Sequence, residues 1–176
     1  MDTSAIVIHI PHASTVIPAE YLSGLIVDLD ELDKEIIWST DAYCDELFNP
    51  GFGTRVIAQY SRLACDVERF RDDEQEPCAQ VGQGLLYTYT ARGKRFRRDN
   101  KALRDKALAE IYDLHHKELE MAVDNAISKS AKNPKVWILF EIRTKIKSKP
   151  FKETPRKHCV PATKGLDFVL CSSYQN

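Results

Sequence analysis

The stretch Ile6-Val7-Ile8-His9-Ile10-Pro11-His12-Ala13-Ser14 decides the fold. Its first five residues are mostly β-branched and apolar, which suits a buried strand. The proline ends it, because a residue without an N–H cannot donate to the ladder. In an open α/β sheet, ligands bind just outside the carboxyl ends of the strands. His12 therefore stands where a metal ligand or an acid/base group is useful. The same position suits a strand-end histidine bonded to nearby backbone, and this segment alone does not choose between them.

Working outward, Asp28 or Asp30 can cap a helix over about 31–48, with Leu32, Ile36, Ile37, Tyr43, Leu47 and Phe48 as its apolar stripe. Asn49-Pro50-Gly51-Phe52-Gly53 is a turn cluster, and Thr54–Ala58 reads as a second strand. Leu63–Val67 is expected to be a short third strand, and Gly84–Thr90 a strand or hairpin arm. Asp99 can cap a long helix over about 100–130, whose apolar positions are Leu103, Ala107, Ile111, Leu114, Leu119, Val123 and Ile127. Val136–Phe140 is a further buried strand, and Asp167–Cys171 one more. Strands alternating with helices imply an α/β sheet covered on both faces. A length of 176 residues predicts one domain over 1–176.

Bulk properties narrow the class. No apolar stretch reaches the roughly 18 residues needed to cross a bilayer, so no membrane partner is expected. The opening Met1-Asp2-Thr3-Ser4 lacks the basic region of a signal peptide, which predicts a cytoplasmic chain. The five cysteines are odd in number and form no C-x-x-C pair, against both a zinc ribbon and a disulfide framework. The net charge of −1 hides an asymmetry: residues 1–91 hold 5 Lys/Arg against 16 Asp/Glu, and residues 92–176 hold 20 against 10. Such a dipole suits a nucleic-acid surface, a solvated face or an anion pocket closed by the two halves. The basic residues lack interleaved stacking aromatics, so no nucleic-acid partner is expected.

Three patterns carry chemistry: His9-Ile10-Pro11-His12-Ala13-Ser14, Thr40-Asp41-Ala42-Tyr43, and Ser61-Arg62-Leu63-Ala64-Cys65-Asp66-Val67-Glu68-Arg69-Phe70. In an extended segment Arg62, Asp66 and Glu68 share one face. Arginines and carboxylates set among apolar residues are costly unless paired, so an internal ion-pair network is the plain alternative to a catalytic cluster.

Together these residues resemble the N-formylglutamate amidohydrolase family over roughly residues 5–142. The likeness rests on I-H-I-P-H-A-S-x-x-I-P, T-D-x-Y-x-D-E-L-F, S-R-L-x-x-D-V-E-R-F and D-D-x-Q-E-P, with Gly82–Thr88 and the pair His115-His116 in support. The resemblance implies a fold similar to zinc carboxypeptidases and aspartoacylase-like enzymes, a three-layer αβα arrangement around a mixed, mostly parallel central sheet. It also implies a metal-dependent hydrolase of a small anionic N-acyl amino acid, releasing formate and glutamate in histidine breakdown. The implied cofactor is a divalent metal, zinc by expectation, with His12 and Asp41 as ligands. Arg62 and Arg69 are the implied carboxylate or oxyanion partners, oriented by Asp66, with Ser14 beside the substrate and His116 as a catalytic candidate.

The chain departs from this pattern in three places. Arg143, in Glu141-Ile142-Arg143-Thr144, stands where the family carries a third metal-binding histidine, and a guanidinium has no lone pair to give. Tyr89 stands where relatives often carry an arginine, and the chain is expected to be short at its C-terminal end. His158 is a candidate replacement ligand. The alternative function is therefore a catalytically impaired relative that binds small carboxylates.

Overall fold

Strand β1 (Ile6–Ile10) lies at the centre of a three-stranded parallel sheet, flanked by β2 (Thr54–Ile57) and β3 (Trp137–Leu139) in the order β2-β1-β3. This is a computed structural model; it describes residues 6–48, 51, 53–129 and the backbone of 137–139. Register is set by Val7 opposite Thr54 and His9 opposite Val56 on one side, and by Ile6 opposite Trp137 on the other. A central parallel strand has both faces covered, which is why its sequence is continuously apolar rather than alternating. The mixed helix and strand content with a small parallel sheet is an α/β fold.

Between β1 and β2 run α1 (Ala19–Leu22), α2 (Leu29–Ser39) and α3 (Cys44–Leu47). Asp28 caps α2 by accepting from the Glu31 N–H. The single helix expected over 31–48 is thus two helices. Thr40 is extended and Tyr43 adopts a left-handed conformation at φ 68°, so the chain turns at Asp41. That break exposes Ile37 and Tyr43 and frees Asp41 from a helical face.

The long helix after the loops is α4 (Lys101–Ala107), a π-helical turn over Leu108–Tyr112, and α5 (Asp113–Lys129). Its cap is Asn100, whose side chain accepts from the Leu103 N–H, rather than Asp99. The buried positions include 103, 107, 111 and 115, followed by the partly buried 119. Four successive spacings of four drift about 160° around an ideal α-helix at 100° per residue. The wide turn absorbs this drift. As a result Leu114, expected on the core stripe, is exposed and His115 is buried instead.

Val7 and Val56 pack against Ala122 and Ala126 of α5, while Ile8 and Ile10 pack with Cys44 of α3. Each fully buried aliphatic side chain of this kind contributes about 1.5–3 kcal/mol. The strand expected over Leu63–Val67 is a turn, closed by Ala64 N–H to Ser61 O and Cys65 N–H to Ser61 O. The segment expected over Gly84–Thr90 ends in a tight hairpin, with Tyr89 bridged antiparallel to Arg95. The strand expected over Asp167–Cys171, Arg143 and His158 lie outside the described residues.

Candidate functional site

The loop after β1 carries His12 to the carboxyl edge of the sheet, fully buried. Its Nε2 lies 2.9 Å from Asp66 Oδ1 and 3.7 Å from Glu68 Oε2, and its Nδ1 lies 3.4 Å from Asp41 Oδ2. A backbone bond from Asp41 N–H to His12 O (3.0 Å) ties the two loops together. The turn over 61–66, in place of a strand, brings Arg62 back onto Asp66: Nε donates at 3.1 Å and a terminal nitrogen at 2.8 Å, both to Oδ2. Arg69 Nε sits 3.2 Å from that same oxygen, and the Tyr87 hydroxyl donates to it at 2.9 Å.

Asp66 thus accepts from His12, Arg62 and Tyr87 and forms an ion pair with Arg69, whose terminal nitrogen donates to the Tyr87 hydroxyl; its Oδ1 also receives the Glu68 N–H. Burial alone raises its pKa, but Arg62, His12 and Arg69 outweigh burial and hold the carboxyl well below the usual carboxylate range. Burial and Arg62 push His12 down; Asp66 and Asp41 prevail, and the net direction is upward. Burial pushes the Tyr87 hydroxyl up to about 12, so it remains a donor at neutral pH.

Beneath the cluster, the fully buried Arg97 donates to the carbonyls of Tyr21, Leu63 and Tyr87. Burial lowers its pKa to about 10, leaving it a cation at neutral pH that clips three chain segments together.

The residues singled out from sequence divide into those the fold brings together and those it does not. His12, Asp41, Arg62, Asp66 and Arg69 converge. Ser14 bonds to Gln59 O and accepts from the Val16 N–H, closing its own loop. His116 donates from Nε2 to Val67 O at 2.9 Å. His116, the catalytic candidate, is thus bound to a loop carbonyl, and both His115 and His116 have partners. The helix runs between the sheet, where His115 meets His9 at 2.8 Å, and the 67–71 loop on its other side. Glu68, placed with Arg62 and Asp66 by its charged spacing, was given no site role, and Tyr87 was missed, because a tyrosine in a β-prone run gives no signal.

Among the described residues, some charges of the acidic first half meet basic residues of the second half: Glu31 with Arg92 and Lys94, Asp73 with Arg104, and Glu20 with Lys106. No helix of the described residues is long and apolar enough to cross a membrane.

Comparison with known proteins fits this arrangement. No curated protein matches the chain significantly. The crystal structure of N-formylglutamate amidohydrolase from Ralstonia eutropha JMP134 superposes with a TM-score of 0.65 at 20% sequence identity, covering 79% of this chain and 54% of that one. The present chain therefore spans about half the length of that protein, and at this identity the match speaks for the fold. Residues 4–160 match the N-formylglutamate amidohydrolase family, and the chain belongs to that family.

Proposed function

We propose that the chain carries the metal-binding side of an amidohydrolase site for a small N-acyl amino acid. One observation carries the reading: His12 Nδ1 is buried, makes no hydrogen bond among the described residues, and faces Asp41 Oδ2 at 3.4 Å. Two ligands bound at about 2.0–2.2 Å in a tetrahedral site stand roughly 3.3–3.6 Å apart, so this pair fits one ion. The other ring nitrogen, on Asp66, has the carboxylate partner that fixes a metal-binding histidine in orientation. Among the described residues no group of three His, Cys, Asp or Glu side chains forms a metal site. His12 and Asp41 thus supply two of the usual three protein ligands.

When bound, a divalent ion there lowers the pKa of water and polarises an acyl carbonyl. The chain's own residues do the rest. Glu68, a quarter exposed and beside His12, is the carboxylate placed to take a proton from water and return it to the leaving amine. Arg62 and Arg69 hold fixed positive charge beside the site for a substrate carboxylate, and Asp66 keeps them oriented. We further read the sheet, with α5 on one face and α3 on the other, as the core of a three-layer αβα domain.

The test is formate release from N-formylglutamate by the full chain supplied with zinc or cobalt. Turnover lost in His12→Ala supports the reading. No turnover, together with no zinc retained in equilibrium dialysis, overturns it. A second reading, a carboxylate-binding relative without catalysis, is favoured by the two guanidinium groups of Arg62 and Arg69 that Asp66 holds side by side. Heat from millimolar glutamate in calorimetry without turnover selects it.

A further inference from the structure

The π-helical turn has a specific partner in the site. Tyr112, its last residue, donates its hydroxyl to Arg69 O at 2.9 Å, and His116, one turn on, reaches Val67 O at 2.9 Å. A carbonyl only accepts, so His116 Nε2 carries the proton. The Tyr112 and His116 rings pack with centroids 4.1 Å apart, forming one unit on one helix face. The two carbonyls they hold bracket Glu68. The Glu68 N–H is fixed as well, donating to Asp66 Oδ1 at 3.1 Å.

We infer that Tyr112 and His116 are positioning residues that aim Glu68 at His12, and that the π turn brings them there. Glu has three side-chain torsions, so the reach of its carboxylate depends on how firmly its backbone is held. Without the wide turn, the stripe that buries Leu103 and Ala107 would drift away from the one that buries His115 and Ala122. One helix would then fail to serve both the 67–71 loop and the sheet. The inference rests on the reading of Glu68 as the proton acceptor.

The test pairs Tyr112→Phe, which removes only the hydroxyl, and His116→Phe, which keeps an aromatic ring without an N–H, with Glu68→Gln. If the positioning role holds, each Phe variant lowers kcat about tenfold with KM within twofold and nearly unchanged melting. His116→Gln, which restores an N–H, recovers part of the loss. In the Glu68→Gln background Tyr112→Phe then costs nothing further. An equal loss in that background, or a loss seen only in melting, overturns the inference. Amide hydrogen exchange gives a readout independent of turnover. Faster exchange at Glu68 and Arg69 in Tyr112→Phe, with Val7 and Val56 unaffected, supports the clamp even if the wild-type chain proves inactive. Unchanged exchange at Glu68 overturns it.

Discussion

His12 Nε2 and Asp66 Oδ1 lie 2.9 Å apart with both side chains fully buried, and Asp66 Oδ2 meanwhile accepts from Arg62 and Tyr87 and lies 3.2 Å from Arg69 Nε. One carboxylate therefore holds His12 and both arginines of the site together. Removing it leaves Arg62 and Arg69 without the carboxylate they share, and His12 with only Asp41 and Glu68 beside it. Asp66→Asn is expected to destabilise the fold by about 3–5 kcal/mol, as loss of one partner from a buried ion network does. Urea denaturation measures this; a change below 1 kcal/mol would contradict the described network.

Asp41 separates ligand function from stability. It is half-buried, at the turn between α2 and α3, and touches the ring of His12 from the side away from Asp66. Asp41→Asn should lower zinc affinity at least tenfold while leaving the melting temperature of the metal-free chain almost unchanged. Equilibrium dialysis and calorimetry on the same sample check both halves. Retained zinc affinity would remove Asp41 from the ligand set.

The buried histidine pair gives a pH dependence with a definite sign. Burial first, then the neighbouring His116 and His12, lower the His115 pKa to about 4, and burial holds His9 well below its ordinary value. The unfolded chain binds protons at these positions near pH 6.5 and the folded chain does not. Stability is therefore full above 6.5 and falls as pH drops from 6.5 toward 4. His115 alone accounts for a loss on the order of 3 kcal/mol at the acid end of that window. Unfolding free energies at pH 7.5 and 5 should differ in this direction, and His115→Gln should flatten the slope. An unchanged slope in that variant would show that the pair does not govern it.

Gly53 leads into β2 at φ +147°, and a Cβ there would stand 2.5 Å from the Ile6 carbonyl oxygen and 2.8 Å from its Cβ. The obstruction is strand β1 itself, which cannot give way without breaking the sheet register. Gly53→Ala should cost about 2 kcal/mol or more through strain and overpacking. Thermal melting measures it, with Gly93→Ala as the comparison: Gly93 shares the positive φ but has open space around it.

What could be read from the sequence follows physical range. β1 was legible because a continuous apolar run has one economical place, the centre of a parallel sheet. The α2 cap was legible because Asp28 acts on Glu31, three residues away. His12 and Asp41 were paired from family likeness, and their side chains do approach. The 61–67 turn was misread because alternating charged and apolar residues look extended when their partners are unknown. Its shape is set by Arg62 closing on Asp66 and by Leu63 O accepting from Arg97, 34 residues away. The π turn was hidden for a similar reason. The seven apolar positions fit an α-helix adequately, and only contact with two separate surfaces moves the buried position from Leu114 to His115.

Convergence of several donors on a single acceptor also constrains how such a protein changes over generations. A neutralising substitution at Arg62 or Arg69 is felt by His12 through the shared carboxylate, so its effect depends on what the other positions already are. Mutational tolerance here is epistatic: accepted changes come in compensating sets. Homologues should be compared at these four positions as a unit rather than column by column.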